Sequence, residues 1–236
     1  MNAVSHKICL ISRQDKENLR SKVIVSPITP TITSRLANHF RSLERGERIR
    51  LYKLLSRDPD LRAAAGIFFE AAGQGCLQDG VTLKLLPMVQ LSPSQPKTNP
   101  QWYTSHVALP NKTLEATRQQ VLIQRKLLDI PPGLPVEEYT GNGPSSIIRD
   151  VLYVPGLTNQ AVLDSFILMN DLLYIFQFSI GEKRDIKLGL FNFIRDLGFL
   201  SMDKCRFVFI HPPNHTLVCP QPPKLEMHPC SAVLEL

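Results

Sequence analysis

One twenty-residue stretch constrains this chain more than any other. Residues 161–180 read AVLDSFILMNDLLYIFQFSI, which is long and apolar enough to raise the question of a membrane helix. Asp164, Asn170, Asp171 and Gln177 interrupt it, and its β-branched and aromatic content with a polar break in the middle fits two strands instead. Asn170-Asp171 then makes a tight two-residue turn. A hairpin turning there pairs residues whose numbers sum to about 341, which sets Asp164 opposite Gln177, with Ser179 facing the same way.

Elements on either side complete an α/β pattern. Thr33 onward reads as two short amphipathic helices, with Leu36, Phe40 and Leu43 and then Ile49, Tyr52 and Leu55 at helical spacing around Gly46. Before them, Ser26-Pro-Ile-Thr-Pro30 reads as an extended lead-in. Asp58-Pro59 marks the start of a helix that ends at Asp79-Gly80. Glu70 stands inside its apolar run, where an ionised carboxylate needs a partner. Val81–Val89 reads as a strand, Trp102–Leu109 as another and Leu114–Leu128 as a helix. Strands at Asp150–Pro155, Ala161–Met169 and Leu172–Ile180 follow, then a helix carrying Ile186, Leu190, Phe193, Ile194 and Leu197, and a strand at Cys205–Ile210.

The organisation this predicts is an N-terminal extension with short helices over 1–57, an α/β domain over 58–222 with an insertion at 90–148, and a tail at 223–236. A hydrophobic content of 43% over 236 residues supports one core of up to roughly 200 residues. The net charge of +6 favours weak, salt-sensitive attraction to polyanions such as nucleic acid. Five widely spaced cysteines without a C-x-x-C pair make neither a disulfide framework nor a zinc ribbon. Met1–Leu10 has no secretory h-region, so the expectation is an intracellular protein, nuclear or cytoplasmic, without a membrane span.

Asp164 and Gln177, side by side, would offer hard oxygen ligands suited to Mg²⁺, with Glu70 as a third oxygen and Lys183 or Lys187 to stabilise developing negative charge. Each also has a structural reading: Asp164 as a strand cap, Gln177 bonded to neighbouring backbone, Glu70 paired with an arginine such as Arg62 or Arg149. No G-x-x-x-x-G-K-[ST] loop and no G-x-S-x-G elbow is present.

The order αβββαβ, with an acid on the first helix, Asp on the second strand and a polar-x-polar motif on the third, resembles the PD-(D/E)XK or restriction-endonuclease-like superfamily. More narrowly, Arg62-Ala-Ala-Ala-Gly-Ile-Phe-Phe-Glu70, Leu85-Leu-Pro-Met-Val89, Leu163-Asp-Ser-Phe-Ile167 and Leu173-Tyr-Ile-Phe-Gln-Phe-Ser179 resemble a fungal group of Crinkler-type and retrotransposon-hot-spot-type proteins. The resemblance covers about residues 45–222. It implies a Mg²⁺-dependent DNA phosphodiesterase domain, active or decayed, with Glu70, Asp164 and Gln177 as the metal set and Lys183 or Lys187 assisting in catalysis. Ser179 stands where the superfamily carries its lysine. The P-loop ATPase that often precedes such a domain is missing, as in a truncated copy. The alternative is a non-catalytic interaction or effector module on the same scaffold.

Overall fold

The computed structural model describes residues 9–13, 23–27, 29–57, 61–91, 101–104, 126–141, 143–156, 163–187, 189–198, 202–213, 215–220 and 229–235. The chain is mixed α/β. An antiparallel pair, β1 (Cys9–Arg13) and β2 (Val23–Pro27), comes first, followed by α1 (Pro30–Ser42), α2 (Arg45–Ser56) and α3 (Arg62–Asp79). Then come β3 (Val81–Pro87), β4 (Val89–Leu91), β5 (Gln101–Tyr103), β6 (Lys126–Ile130), β7 (Val136–Tyr139), β8 (Leu152–Pro155), β9 (Ser165–Met169) and β10 (Leu172–Phe178). The last elements are α4 (Gly189–Asp196), β11 (Cys205–His211), β12 (Val218–Pro220) and β13 (Cys230–Val233).

Eight strands form one mixed sheet in the order β6-β3-β13-β11-β10-β9-β8-β7, and β12-β5-β4 make a small second sheet. Within the large sheet, β8, β9, β10 and β11 are contiguous. The β8–β9 and β9–β10 pairs are antiparallel, and β11 lies parallel to β10. The β9–β10 pairs run from Leu172↔Met169 to Phe176↔Ser165 and sum to 341, as a turn at Asn170-Asp171 requires. Both turn residues have positive φ, 50° and 61°, the left-handed pair that matches the twist of a two-residue hairpin.

Side-chain alternation sorts the core into two layers. Phe176 and Phe178 of β10 pack with Phe69 and Leu77 of α3. Leu173 and Ile175 pack on the opposite face with Leu190 and Ile194 of α4, and with Trp102 and Cys219 of the small sheet. Helix α3 is apolar along much of its length and well covered in its second half: α1 and α2 pack against it, and residues 71–77 are all buried. Arg48 of α2, itself buried, forms an ion pair with Asp79 at the end of α3.

Several elements depart from the sequence reading. Thr29 caps α1 by accepting from the Ile32 amide, with Pro30 in the first turn, so the helix begins inside the expected lead-in. Lys126–Ile130 is a strand where a helix was expected to end; residues 105–125 and the Asp58-Pro59 start signal lie outside the described residues. The 90–148 segment, expected to decorate the core, supplies β6 and β7, the two edges of the large sheet. Cys230–Val233, expected as tail, fills a slot between β3 and β11. No helix among the described residues is long and apolar enough to cross a membrane.

Gly80 ends α3 with φ 91°, and a Cβ there would stand 2.7 Å from the Pro132 backbone nitrogen. Gly80→Ala is therefore expected to cost on the order of 2 kcal/mol in chemical denaturation. A loss indistinguishable from zero would show that the α3–β3 corner tolerates a side chain.

Candidate functional site

The site lies where β9 begins and β10 ends. Asp164 precedes β9 and does not continue the ladder regularly. Its amide donates to Phe176 O (3.1 Å), the same carbonyl level as Ser165, so an extra residue is accommodated here as in a bulge. Its carboxylate oxygen Oδ2 accepts from the Phe178 amide at 2.7 Å, taking the place of a ladder carbonyl. Its own carbonyl accepts from Gln74 Nε2 of α3 at 2.9 Å. Three hydrogen bonds thus fix this residue between hairpin and helix.

Electrostatics set the Asp164 carboxyl apart. Burial pushes its pKa up from 3.8 to about 6, against the opposing pull of the Phe178 hydrogen bond and of the Arg184 charge. Arg184, on the exposed segment after β10, is held by its amide to Val218 O at 3.0 Å. It is the cation that bears on Asp164. Lys183 and Lys187, singled out from the sequence, are exposed in the same segment. Lys183 makes a bridge with Val218 through its backbone.

Gln177 follows the last ladder pair, Phe176↔Ser165, and precedes Phe178, whose amide holds Asp164. By strand parity its side chain leaves the sheet on the α4 face, with Leu173 and Ile175. It is buried, 6% exposed, and its Oε1 has no hydrogen-bond partner among the described residues. Ser179 is also buried, and its Oγ closes a turn with Gly181, accepting from the amide at 3.2 Å. It brings no charge to the position where the resemblance expects lysine. Glu70 lies on α3, in the layer over the other face, and its Oε1 accepts from Gln74 Nε2 at 3.4 Å. Gln74 therefore joins the Glu70 carboxylate to the Asp164 backbone.

The expected trio is divided between the two layers: Gln177 leaves the sheet on the α4 face, whereas Glu70 lies on α3 over the other face and is linked through Gln74 to the Asp164 backbone. Among the described residues no three of His, Cys, Asp and Glu are grouped closely enough to hold a metal ion. The oxygen donors at this strand end are the Asp164 carboxylate, held by the Phe178 amide, and the buried Gln177 carboxamide oxygen, which has no partner among the described residues.

Sequence reasoning missed Gln74 and Arg184. Gln74 had a signal, because it follows Glu70 by one helical turn. Arg184 sits between the two lysines that were preferred to it. Comparison of the chain with protein-family models, with curated proteins and with solved structures gave no match.

Proposed function

We propose that the protein is a nuclease-like module acting on nucleic acid, with Asp164 at the reacting centre of a metal-dependent phosphodiesterase site. One observation carries this reading: at the base of the β9–β10 hairpin burial raises the Asp164 carboxyl pKa while the Phe178 amide holds its Oδ2, and Gln177, next to Phe178 in sequence, keeps a buried carboxamide oxygen without a partner among the described residues. An unpaired buried oxygen destabilises a fold, and one at the same strand end as a carboxyl of raised pKa favours a bound cation over a structural role. The arrangement of α3, then β8, β9 and β10, then α4 and β11, with helices on opposite faces of four contiguous strands, supports the restriction-endonuclease-like αβββαβ core as its scaffold.

Asp164 and Gln177 would hold Mg²⁺, an ion that is content with one or two carboxylates and completes its shell with water and phosphate oxygens. Bound there, it would supply charge neutralisation on the phosphate and an activated water. The chain's own residues do the rest. Phe178 and Gln74 fix Asp164 in place, Glu70 adds negative charge from the α3 layer, and the Arg184 guanidinium offers a bidentate partner for phosphate oxygens. Lys183 and Lys187, both exposed, add to the positive surface that draws a polyanion, in keeping with the net charge of +6.

A second reading, a non-catalytic interaction module on the same scaffold, is favoured by two observations. Asp164 Oδ2 is already used by the Phe178 amide, and Ser179 leaves the lysine position uncharged. A nuclease assay at low salt with Mg²⁺ or Mn²⁺ separates the two. Cleavage by the wild type that falls at least about a hundredfold in Asp164→Ala supports catalysis. Equal residual signal in both proteins marks contamination and leaves the non-catalytic module.

A further inference from the structure

The exposed face of α2 has no part in the hairpin site and carries a charge pattern of its own. Residues 48–57 read RIRLYKLLSR, with Arg48, Arg50, Lys53 and Arg57 and no acid. Arg48 turns inward to Asp79. Arg50, Lys53 and Arg57 are exposed, and their spacing of three and then four residues sets them in one stripe along the helix. None of the three forms an ion pair among the described residues. Glu47, one turn before Arg50, is the acid on that side of α2, and it too is exposed. Lys53 and Arg57 stand where cations complement a helix dipole, but Arg50 stands in mid-helix, so the helix end does not account for the stripe. The apolar residues of α2 turn the other way: Tyr52 meets Phe69 of α3 at 5.3 Å, and Ile49, Leu51 and Leu55 are half-buried. Leu54, 62% exposed, is the one large apolar side chain of α2 that faces out.

We propose that this stripe is a docking face for nucleic acid, in which Arg50, Lys53 and Arg57 hold phosphodiester oxygens of the backbone without reading the bases. At 1.5 Å of rise per residue the stripe covers about 10 Å, the axial length of roughly three phosphates on one strand of a duplex. The two guanidinium groups can each take a pair of phosphate oxygens. A lipid surface fits worse, because a helix lying in a membrane interface needs a broad apolar face, and α2 gives its apolar face to α3 and leaves Leu54 alone outside. The proposal rests on the nuclease-like reading only for the class of ligand, since the stripe would serve a non-catalytic module equally well. Helix α2 packs against α3, whose Gln74 reaches the Asp164 backbone, so a backbone docked on α2 lies on the α3 side of the large sheet.

The test is the triple variant Arg50→Gln, Lys53→Gln, Arg57→Gln, set beside a second triple, Lys84→Gln, Lys126→Gln, Lys204→Gln, which removes three exposed cations from other elements and leaves the same net charge. Urea denaturation shows that each is folded; should the α2 triple be unstable, Arg50→Gln alone is read in its place. Fluorescent DNA duplexes of two unrelated sequences are titrated over a range of salt. Expected is an α2 triple that binds both duplexes at least about tenfold more weakly at about 50 mM salt, with a slope of log K on log salt shallower by about 2–3, while the second triple stays within about threefold of the wild type. Equal losses in the two triples would show that net charge alone acts, and a loss confined to one duplex would show base readout; either overturns the proposal. Binding that falls in Arg184→Ala but holds in the α2 triple overturns it and leaves the nuclease-like reading standing. Binding that depends on α2 in a wild type that cleaves no nucleic acid supports it and removes catalysis. A wild type that binds no duplex removes both, and one that instead binds vesicles rich in phosphatidylserine assigns the face to a membrane.

Discussion

Gly73→Val is expected to leave the protein largely unfolded at room temperature. Gly73 lies in the middle of α3 on the side pressed against β10, and a Cβ built there would overlap the ring of Phe178. Phe178 cannot step aside easily, because it is buried within the layer formed by Phe69, Phe176 and Ile210, and its ring meets Phe69 edge-on at 6.1 Å. Overpacking of a close-packed core costs about 1–3 kcal/mol for a small excess and more when an aromatic ring blocks relaxation. A typical domain has only about 5–15 kcal/mol in hand. Gly73→Ala carries the smaller clash and gains about 1 kcal/mol of helix propensity, so it should be destabilised by less. Gly46→Ala in α2, where nothing lies within 4 Å of the added methyl, should instead be stabilised by up to about 1 kcal/mol. Urea denaturation of the three variants checks the series, and partial rescue of Gly73→Ala by Phe178→Leu would locate the clash. Equal effects at positions 73 and 46 would mean that helix propensity, not the approach of Phe178, governs α3.

Asp164→Asn should make the protein more stable at pH 8 and leave its stability unchanged at pH 4. The folded chain raises the Asp164 pKa from 3.8 to about 6, so between these values the folded state holds the proton more tightly than the unfolded state does. Stability therefore falls as pH rises through that window, and the full cost of the buried charge is present above about pH 6. A shift of this size corresponds to at most about 3 kcal/mol. Asparagine removes the charge while its carbonyl oxygen can still accept from the Phe178 amide, so the hairpin base keeps its hydrogen bond. Denaturation curves at several pH values decide the matter: a difference between variant and wild type that does not grow from pH 4 to pH 8 would mean that Asp164 is not desolvated. A residue that is expensive to keep ionised and yet anchors a strand end has the profile of an acid retained for chemistry.

What was legible in the sequence was local. The β9–β10 hairpin declared itself through Asn170-Asp171 and the alternation around it, and α3 through its length and its Gly80 stop. The β9–β10 register followed from the turn alone as far as Phe176↔Ser165, beyond which Asp164 departs from the ladder. What was not legible depended on partners far away in the chain. Strand β13 is four residues of small or short side chains after a proline, and it is a strand only because β3 and β11 leave a gap of that width. Strands β6 and β7 are short and expose most of their residues, as sheet edges do, and so gave little hydrophobic pattern to read. The site shows the same division. Asp164 and Gln177 lie at the base of one hairpin, whereas Gln74 and Arg184 bear on Asp164 from a helix and a connecting segment.

The position of β13 bears on how the molecule can assemble during synthesis. Until residues 230–233 emerge, β3 with β6 forms one ribbon and β11 through β7 another, and the facing edges of the two have no partner. A nascent chain at that stage exposes two open hydrogen-bonding borders to whatever else is extended nearby, so this late strand works as the closing clasp, and crowded translation should favour aggregates joined along those borders.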